Sequence, residues 1–407
     1  GPLPADLAPK TGVKPLIGAR PARPNPCQRP ESQPAMPHRR DLKFTHPRYA
    51  RSCWLAGALL AAWPAFAWTQ ALPVSTGEPI AVARPFARVE TKDTTPRGMS
   101  GLACLPPIAG VRDCLTVNDE ERFAEWARLD GQTLTPTGQH LQLLTPTKKQ
   151  KDDIVGTRPR GLCDREDDFG EFDGEAIAIA EDRIYVTGSH ACSRAKGKFR
   201  PSSFILARAP AMAQPIAAKE VERTWRLADI IGNSHLASAF GQAGKEGAGI
   251  EGMALVGNRL YLGFRTPATT STATILSVEV TELFQAGDQP ATAKPEVLTL
   301  ALGPNTGVRD LAALEDGRLL VLSGPADSAA GAYVLHLLTL ANGASRPLVE
   351  LRTPARGEKK DRGGREIPKA EAIAVLEQTP DAVTLLVMYD NIDDGGPRLH
   401  RIKLPAD

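Results

Sequence analysis

The chain has 407 residues, 42% of them apolar, which is enough for one large all-β domain or two smaller ones. Its formal charge of +2 comes from 49 Lys and Arg against 47 Asp and Glu, but residues 1–68 hold 10 of the former and 3 of the latter. The remainder is left with 39 against 44, a mildly acidic balance that excludes the basic footprint of a nucleic-acid-binding surface.

Residues 1–35 are Pro- and Arg-rich with little apolar pattern, and read as disordered or as an upstream mis-start. From Met36 the pattern is that of a signal peptide over 36–68. Arg39, Arg40, Lys43, Arg48 and Arg51 form a basic stretch, 54–62 an apolar run, and Ala65-Phe66-Ala67 an A-x-A cleavage site. The run is too short and too Pro-interrupted for a stable membrane span, and Cys53 precedes it, which argues against a lipid anchor. A buried helix of the mature domain is the competing reading. The expectation is a monomeric protein, periplasmic or secreted, whose folded domain spans 75–407.

Residues 79–91 (PIAVARPFARVET) alternate as a strand and precede the first of five related hairpins. Two hairpins align without a gap: 175–190 (EAIAIAEDRIYVTGSH) and 250–265 (IEGMALVGNRLYLGFR). Glu175 falls on Glu251, Ala178 on Ala254, Arg183 on Arg259 and Tyr185 on Tyr261. Gly257-Asn258 predicts a two-residue turn with positive φ at both positions. Looser copies are 99–119, 308–323 and 370–390. Such a hairpin cannot bury both of its faces alone, so its recurrence implies a repeat architecture.

Two more strand-like runs follow each of the first four hairpins: 123–129 and 140–144, 203–209 and 220–227, 273–280 and 296–302, 332–341 and 346–351. Four strands per unit, joined by Gly, Pro, Asn and Asp turns, make a propeller blade. Only 397–404 follows the fifth hairpin, so the 79–91 strand is expected to complete that blade and close the ring. Five blades are predicted, with six as the alternative and a two-sheet sandwich as the competing fold. Extra structure or a loop with one helical turn is expected over 228–249; 148–172, 286–294 and the charged 356–365 read as polar loops.

Four cysteines follow residue 68, with no C-x-x-C among them. Their places on and around the hairpins predict disulfides Cys104–Cys114 and Cys163–Cys192, in an oxidising compartment; four free buried thiols are the alternative.

The first strand of each blade lines the channel, so equivalent repeat positions ring one axis. One such set is Ser100, Glu175, Glu251, Arg309 and Glu371. A second, at the far end of the second strand, is Asn118 and Asp119, Ser189 and His190, Arg265, Ser323, and Asp390 and Asn391. Glu175, Glu251, Glu371 and Asp390 converging from different blades suit a hard cation such as calcium. Arg309 and Arg265 suit an anionic ligand group, and a metal-polarised water beside His190 would make a hydrolytic site. Acidic residues opening strands also pair with Arg of the next blade, so an inter-blade ion-pair ring is the competing reading. The run 164–175 (DREDDFGEFDGE) is acidic but lacks EF-hand spacing. His140, His336 and His400 lie in strand patterns and read as structural. No P-loop, G-x-S-x-G, H-E-x-x-H or dinucleotide fingerprint is present.

The phrases FDGEAIAIAEDRIYVTGSH, GIEGMALVGNRLYLGFR, GVRDLAALEDGRLLVLSGP and AEAIAVLEQTPDAVTLLVMYDN resemble an exported bacterial propeller family of unknown function, the DUF 3616 type. The E-G-x-A opening is more distantly similar to phytase-like esterase propellers and calcium-dependent lactonases. The resemblance implies a propeller with a site at one channel mouth; Ser100 and Arg309 depart from a uniform Glu ring. The combined expectation is a small anionic ligand or calcium bound through Glu175, Glu251, Arg309, Glu371, His190 and Arg265, with metal-assisted hydrolysis of a phosphate ester or lactone as the enzyme hypothesis. A non-catalytic scaffold for a protein or cell-wall partner is the alternative.

Overall fold

A computed structural model describes residues 71–88, 96–145, 153–166, 169–180, 182–193, 197–268, 271–355 and 367–405. The signal-peptide expectation, Asp167, Asp168 and the 356–365 stretch lie outside the described residues.

Five sheets form five blades. Blade 1 contains Met99–Cys104, Arg112–Asn118, Phe123–Asp130 and Thr133–Gln142. Blade 2 has Gly174–Ala180, Arg183–Gly188, Leu206–Pro210 and Glu222–Thr224. Blade 3 is Gly249–Val256, Arg259–Thr266, Thr272–Glu279 and Glu296–Ala301. Blade 4 is Thr306–Ala313, Leu319–Pro325, Tyr333–Thr339 and Ala344–Leu351. Blade 5 holds Lys369–Thr379, Ala382–Asp390 and Arg398–Lys403. Each inner strand packs on the next, and Lys369–Thr379 packs on Met99–Cys104, which closes the ring. The architecture is the five-bladed propeller expected from the repeat; the six-blade count and the sandwich are set aside.

The apolar alternation explains the packing. Both faces of each blade are covered, so the core divides into five clusters, one per inter-blade wedge. Leu115, Val117 and Trp126 of blade 1 meet Ile177, Ile184 and Val186 of blade 2. Met99 and Leu102 meet Ala372, Leu386 and Met388 of blade 5 across the closing wedge. Neighbouring inner strands approach so closely that a Cβ on Gly252 would lie 2.8 Å from the Asp310 Cα.

The N-terminal segment does more than complete one blade. Val74–Ser75 pairs with blade 4, Glu78–Pro79 with Arg398 and Leu399 of blade 5, and Ala81–Val82 with blade 1. Short edge pairings therefore strap three consecutive blades, and the strap's own Ile80 and Phe86 are buried against them.

Three local expectations are corrected. Gly257 has φ 57° while Asn258 stays at negative φ, so the turn needs only the leading glycine, as in type II′. The outer strand of blade 1 is Thr133–Gln142 rather than 140–144; Pro136 and Gly138 disguise it. After Glu222–Thr224 the chain enters the helix Arg226–Gly232, because Leu227, Ile230 and Ile231 fill the wedge between blades 2 and 3.

Disulfides Cys104–Cys114 and Cys163–Cys192 are both present, as expected. Among the described residues no helix is long and apolar enough to cross a membrane.

Candidate functional site

All five inner strands carry a β-bulge near their start. The ladder skips between Met99 and Gly101, Gly174 and Ala176, Ile250 and Gly252, Val308 and Asp310, and Ala370 and Ala372. The extra residues are Ser100, Glu175, Glu251, Arg309 and Glu371. A bulge leaves its extra residue outside the pairing and re-aims the side chain. Repeating it five times gathers these five buried side chains around the channel.

Arg309 joins two neighbours. Its Nη1 donates to Glu251 Oε2 at 3.1 Å and to Glu371 Oε1 at 2.6 Å, while Nη2 donates to the Pro325 carbonyl. Arg265 Nη1 pairs with the other Glu251 oxygen. Burial opposes the Arg309 charge, but Glu251 and Glu371 overcome it and raise its pKa. For Glu251, Arg309 and Glu371 the inter-blade ion-pair ring is thus what forms.

A second tier lies where each hairpin ends. Asp119, Ser189, Arg265 and Asp390 occupy equivalent places after or at the close of the second strands, and Asp173 and Lys369 stand two residues before the bulge positions. Lys369 Nζ donates to Asp390 Oδ2 at 2.8 Å, and Ser189 Oγ donates to Asp173. Ile250 N donates to the Ser189 carbonyl at 2.8 Å and ties blade 3 to this corner. Asp119 Oδ1 has no hydrogen-bond partner among the described residues.

These tiers border a cavity of about 560 Å³ at one mouth of the channel. Asp119, Asp173, Glu175, Glu251, Arg265, Arg309 and Lys369 reach it, and the Cys163–Cys192 disulfide pins one wall at Cys192. Glu175 is 6% exposed, lines the cavity, and makes no hydrogen bond or ion pair among the described residues. Burial, with added negative charge from Glu251, Asp173 and Asp119, raises its pKa well above the usual carboxylate range; Arg265 offsets this only in part. Asp119 is raised likewise, by burial and then by Asp390 and Asp173. Burial and Asp390 push Glu371 up to about 7 against the pull of Arg309.

The structure brings Glu175, Glu251, Arg309, Glu371, Arg265 and Asp390 to one end of the channel, but not in the expected roles. Arg309 and Arg265 carry no spare charge for an anion, because Glu251 and Glu371 already match it. The four donors expected for calcium do not fit it either. Glu251 and Glu371 hold Arg309, Asp390 holds Lys369, and only Glu175 is left. Among the described residues no group of three or more His, Cys, Asp or Glu is gathered to ligate a metal. His190 turns away from the cavity: it is fully buried, bonds the Gly188 carbonyl through Nδ1, and meets the Phe204 ring edge to face at 5.8 Å between centroids. Burial lowers its pKa to about 4, so it stays neutral.

Asp173 and Lys369 were not expected in the site. Aligning Gly98, Asp173, Gly249, Gly307 and Lys369 as one repeat position would have found both. In the acidic run, Glu166 pairs with Arg158 and Glu171 with Arg200, so among its described members Asp173 and Glu175 are the ones that line the cavity. His140 stacks on Phe123, His336 bonds Ser323 at 2.9 Å, and His400 bonds Ser75 at 2.8 Å, all structural as expected.

The raised carboxylates set a pH dependence. Glu371 titrates near pH 7 in the folded protein and near its ordinary 4.5 when unfolded. Between those values the folded state binds more protons, so the unfolding free energy falls as pH rises through the window. The expected loss is on the order of 3 kcal/mol for Glu371, and Glu175 adds to it. Urea unfolding at a series of pH values reads the slope, which is expected to be shallower in Glu175→Gln.

Residues 207–402, from blade 2 to blade 5, match the model of a family described as a protein of unknown function (DUF3616), in line with the resemblance of the hairpin phrases. No curated protein matches the chain. Among solved structures, a protein from Lactobacillus plantarum is 14% identical, with 76% of this chain and 73% of that one covered and a TM-score of 0.30. An α-L-arabinofuranosidase from Podospora anserina, in complex with cellotriose, is 9% identical, with coverage of 82% and 98% and a TM-score of 0.38. An exo-β-1,3-galactanase from Clostridium thermocellum is 10% identical, with coverage of 80% and 62% and a TM-score of 0.39. Likeness at this level carries no argument about activity.

Proposed function

We propose that this propeller is an exported binding protein for a small polar ligand, held in the cavity at the channel mouth. The observation that carries the reading is Glu175, a carboxylate more than nine-tenths buried that faces the cavity and has no hydrogen bond or ion pair among the described residues. A carboxyl group buried and left unbonded costs free energy, and a ligand that bonds it recovers that cost. A cavity of about 560 Å³ suits a small organic molecule. Export is supported by the two disulfides, which persist in oxidising compartments, and by the signal pattern over 36–68. Metal-assisted hydrolysis of a phosphate ester or lactone is not supported, because Glu251, Glu371 and Asp390, three of the four carboxylates expected to hold calcium, are engaged by Arg309 and Lys369.

The test is a thermal-shift screen of the full chain against a library of small polar solutes, run in parallel on Glu175→Gln. At least one solute is expected to stabilise the native protein and to bind the variant at least about tenfold more weakly, a difference of about 1.4 kcal/mol. If every solute that binds acts equally on both proteins, the cavity is not the working surface and the scaffold reading replaces this one.

A further inference from the structure

The two tiers are unevenly charged. Six carboxylates (Asp119, Asp173, Glu175, Glu251, Glu371, Asp390) stand against three cations (Arg265, Arg309, Lys369). The cations all come from blades 3, 4 and 5, where their partners are Glu251, Glu371 and Asp390. Asp119, Asp173 and Glu175, from blades 1 and 2, make no ion pair among the described residues and line one side of the cavity. Rim cations do not make up the deficit: Arg200 is paired with Glu171, and Lys245 with Asp327 at 2.7 Å.

A negative surplus in a buried place is neutralised either by protons or by a counter-cation. The lining discriminates between kinds of cation. Among the described residues its lining has no aromatic ring, so it offers no cage for a quaternary ammonium. Among the described residues no metal-ligating group is gathered, and calcium would need six to eight oxygens at about 2.3–2.6 Å. What the wall does present is hydrogen-bond acceptors spread around a molecule-sized space: the carboxyls of Asp119, Asp173 and Glu175, and the hydroxyls of Ser189 and Ser203. Several N–H donors on one organic cation can reach acceptors arranged in this way.

We infer that the cavity takes a small organic cation bearing N–H donors, a primary ammonium or a guanidinium, seated on Glu175, Asp119 and Asp173. The inference rests on the reading of this cavity as a ligand site and names the chemical class it selects. Without such a ligand, burial and then the neighbouring carboxylates hold the Glu175 and Asp119 carboxyls well above their usual pKa range, which favours their protonated forms. Glu175 faces Glu251, Asp173, Asp119 and Arg265; Asp119 faces Asp390, Asp173, Glu120 and Glu371. An arriving cation favours the ionised carboxyls, so each bound molecule releases protons to solvent. Affinity therefore rises with pH, by up to about tenfold per unit for each proton released, until the ligand's own ammonium begins to deprotonate near its usual pKa of about 10.4.

The experiment measures binding of n-butylamine, n-butylguanidine, tetramethylammonium, butyrate and calcium to the full chain, at matched ionic strength and at about pH 6 and about pH 8, the range below amine deprotonation. Glu175→Gln and Asp119→Asn are run beside the native protein, with circular dichroism showing that each is folded. The amine and the guanidine are expected to bind the native protein, at least about tenfold more tightly at the higher pH, and to lose at least about tenfold in either folded variant. Tetramethylammonium or calcium matching the amine would overturn the assignment of the N–H cation. So would butyrate binding in a Glu175-dependent way, while leaving the cavity a ligand site. Silence from every probe overturns the inference alone if the solute library yields a Glu175-dependent ligand, and removes the underlying reading as well if it yields none.

Discussion

Arg309→Met is expected to lower the unfolding free energy by about 3–5 kcal/mol, as measured by urea unfolding at neutral pH. The side chain is 1% exposed and is the positive centre between Glu251 and Glu371, both buried. Methionine fills similar space but removes the charge, so the two carboxylates from the blades on either side of blade 4 are left without it in a poorly solvated channel. They respond by holding protons, and this gives the prediction a signature that a packing defect lacks. The deficit is expected to shrink as pH falls toward about 4.5, the ordinary carboxyl pKa, because the folded variant takes up protons before the unfolded chain does. Adding Glu251→Gln and Glu371→Gln to Arg309→Met is expected to restore much of the loss, since a neutral set needs no counter-charge. Arg309→Lys keeps the charge but not the fork that reaches two carboxylates and the Pro325 carbonyl at once, so an intermediate loss is expected. A variant as stable as the native protein at every pH would show that the ring is incidental.

Deleting the N-terminal strap through residue 87 is expected to cost more than the trimming of a terminus. Its backbone bonds reach blade 4 (Glu350 N to the Pro73 carbonyl, 2.9 Å), blade 5 (Ile80 N to the Pro397 carbonyl, 2.9 Å) and blade 1 (Ala81 N to the Gln132 carbonyl, 2.9 Å). Phe86 N also donates to Asp394 Oδ1 at 3.0 Å. Ile80 and Phe86 are 6% and 4% exposed, and burial of each contributes about 1.5–3 kcal/mol. The hydrogen bonds add about 0.5–1.5 kcal/mol apiece. The sum rivals the roughly 5–15 kcal/mol that holds a typical domain folded. Blade 5, with three strands of its own, would also be left with an open edge. The expected result is a protein that is aggregated or cut rapidly by protease at room temperature. A truncated chain that melts within a few degrees of the native one would mean that the wedge cores alone close the ring.

Much of the site was legible without coordinates, for a geometric reason. A strand has period two, and an aligned hairpin fixes which face each residue takes; copying the hairpin then fixes which residues share a height on the axis. Hence Glu175, Glu251, Arg309 and Glu371 could be placed together from the alignment of their phrases, although the bulge that turns them inward leaves no mark in composition. The disulfides were legible for the same reason, since Cys104 and Cys114 face each other across one hairpin and Cys163 and Cys192 bracket the next.

The sequence by itself determined the repeat, the count of five blades and the ring of bulge residues, because alternation and turn chemistry act over a few neighbouring residues. Tertiary structure alone decided that Arg309 and Arg265 are matched by Glu251 and Glu371 while Glu175 makes no hydrogen bond or ion pair among the described residues, because the Arg309 pairs form between blades some sixty residues apart and all of them depend on angstrom-scale reach. It also decided that His190 turns into the core and that two-residue edge pairings strap three blades. Pairings that short carry no periodicity, and their stability comes from the surfaces that they join.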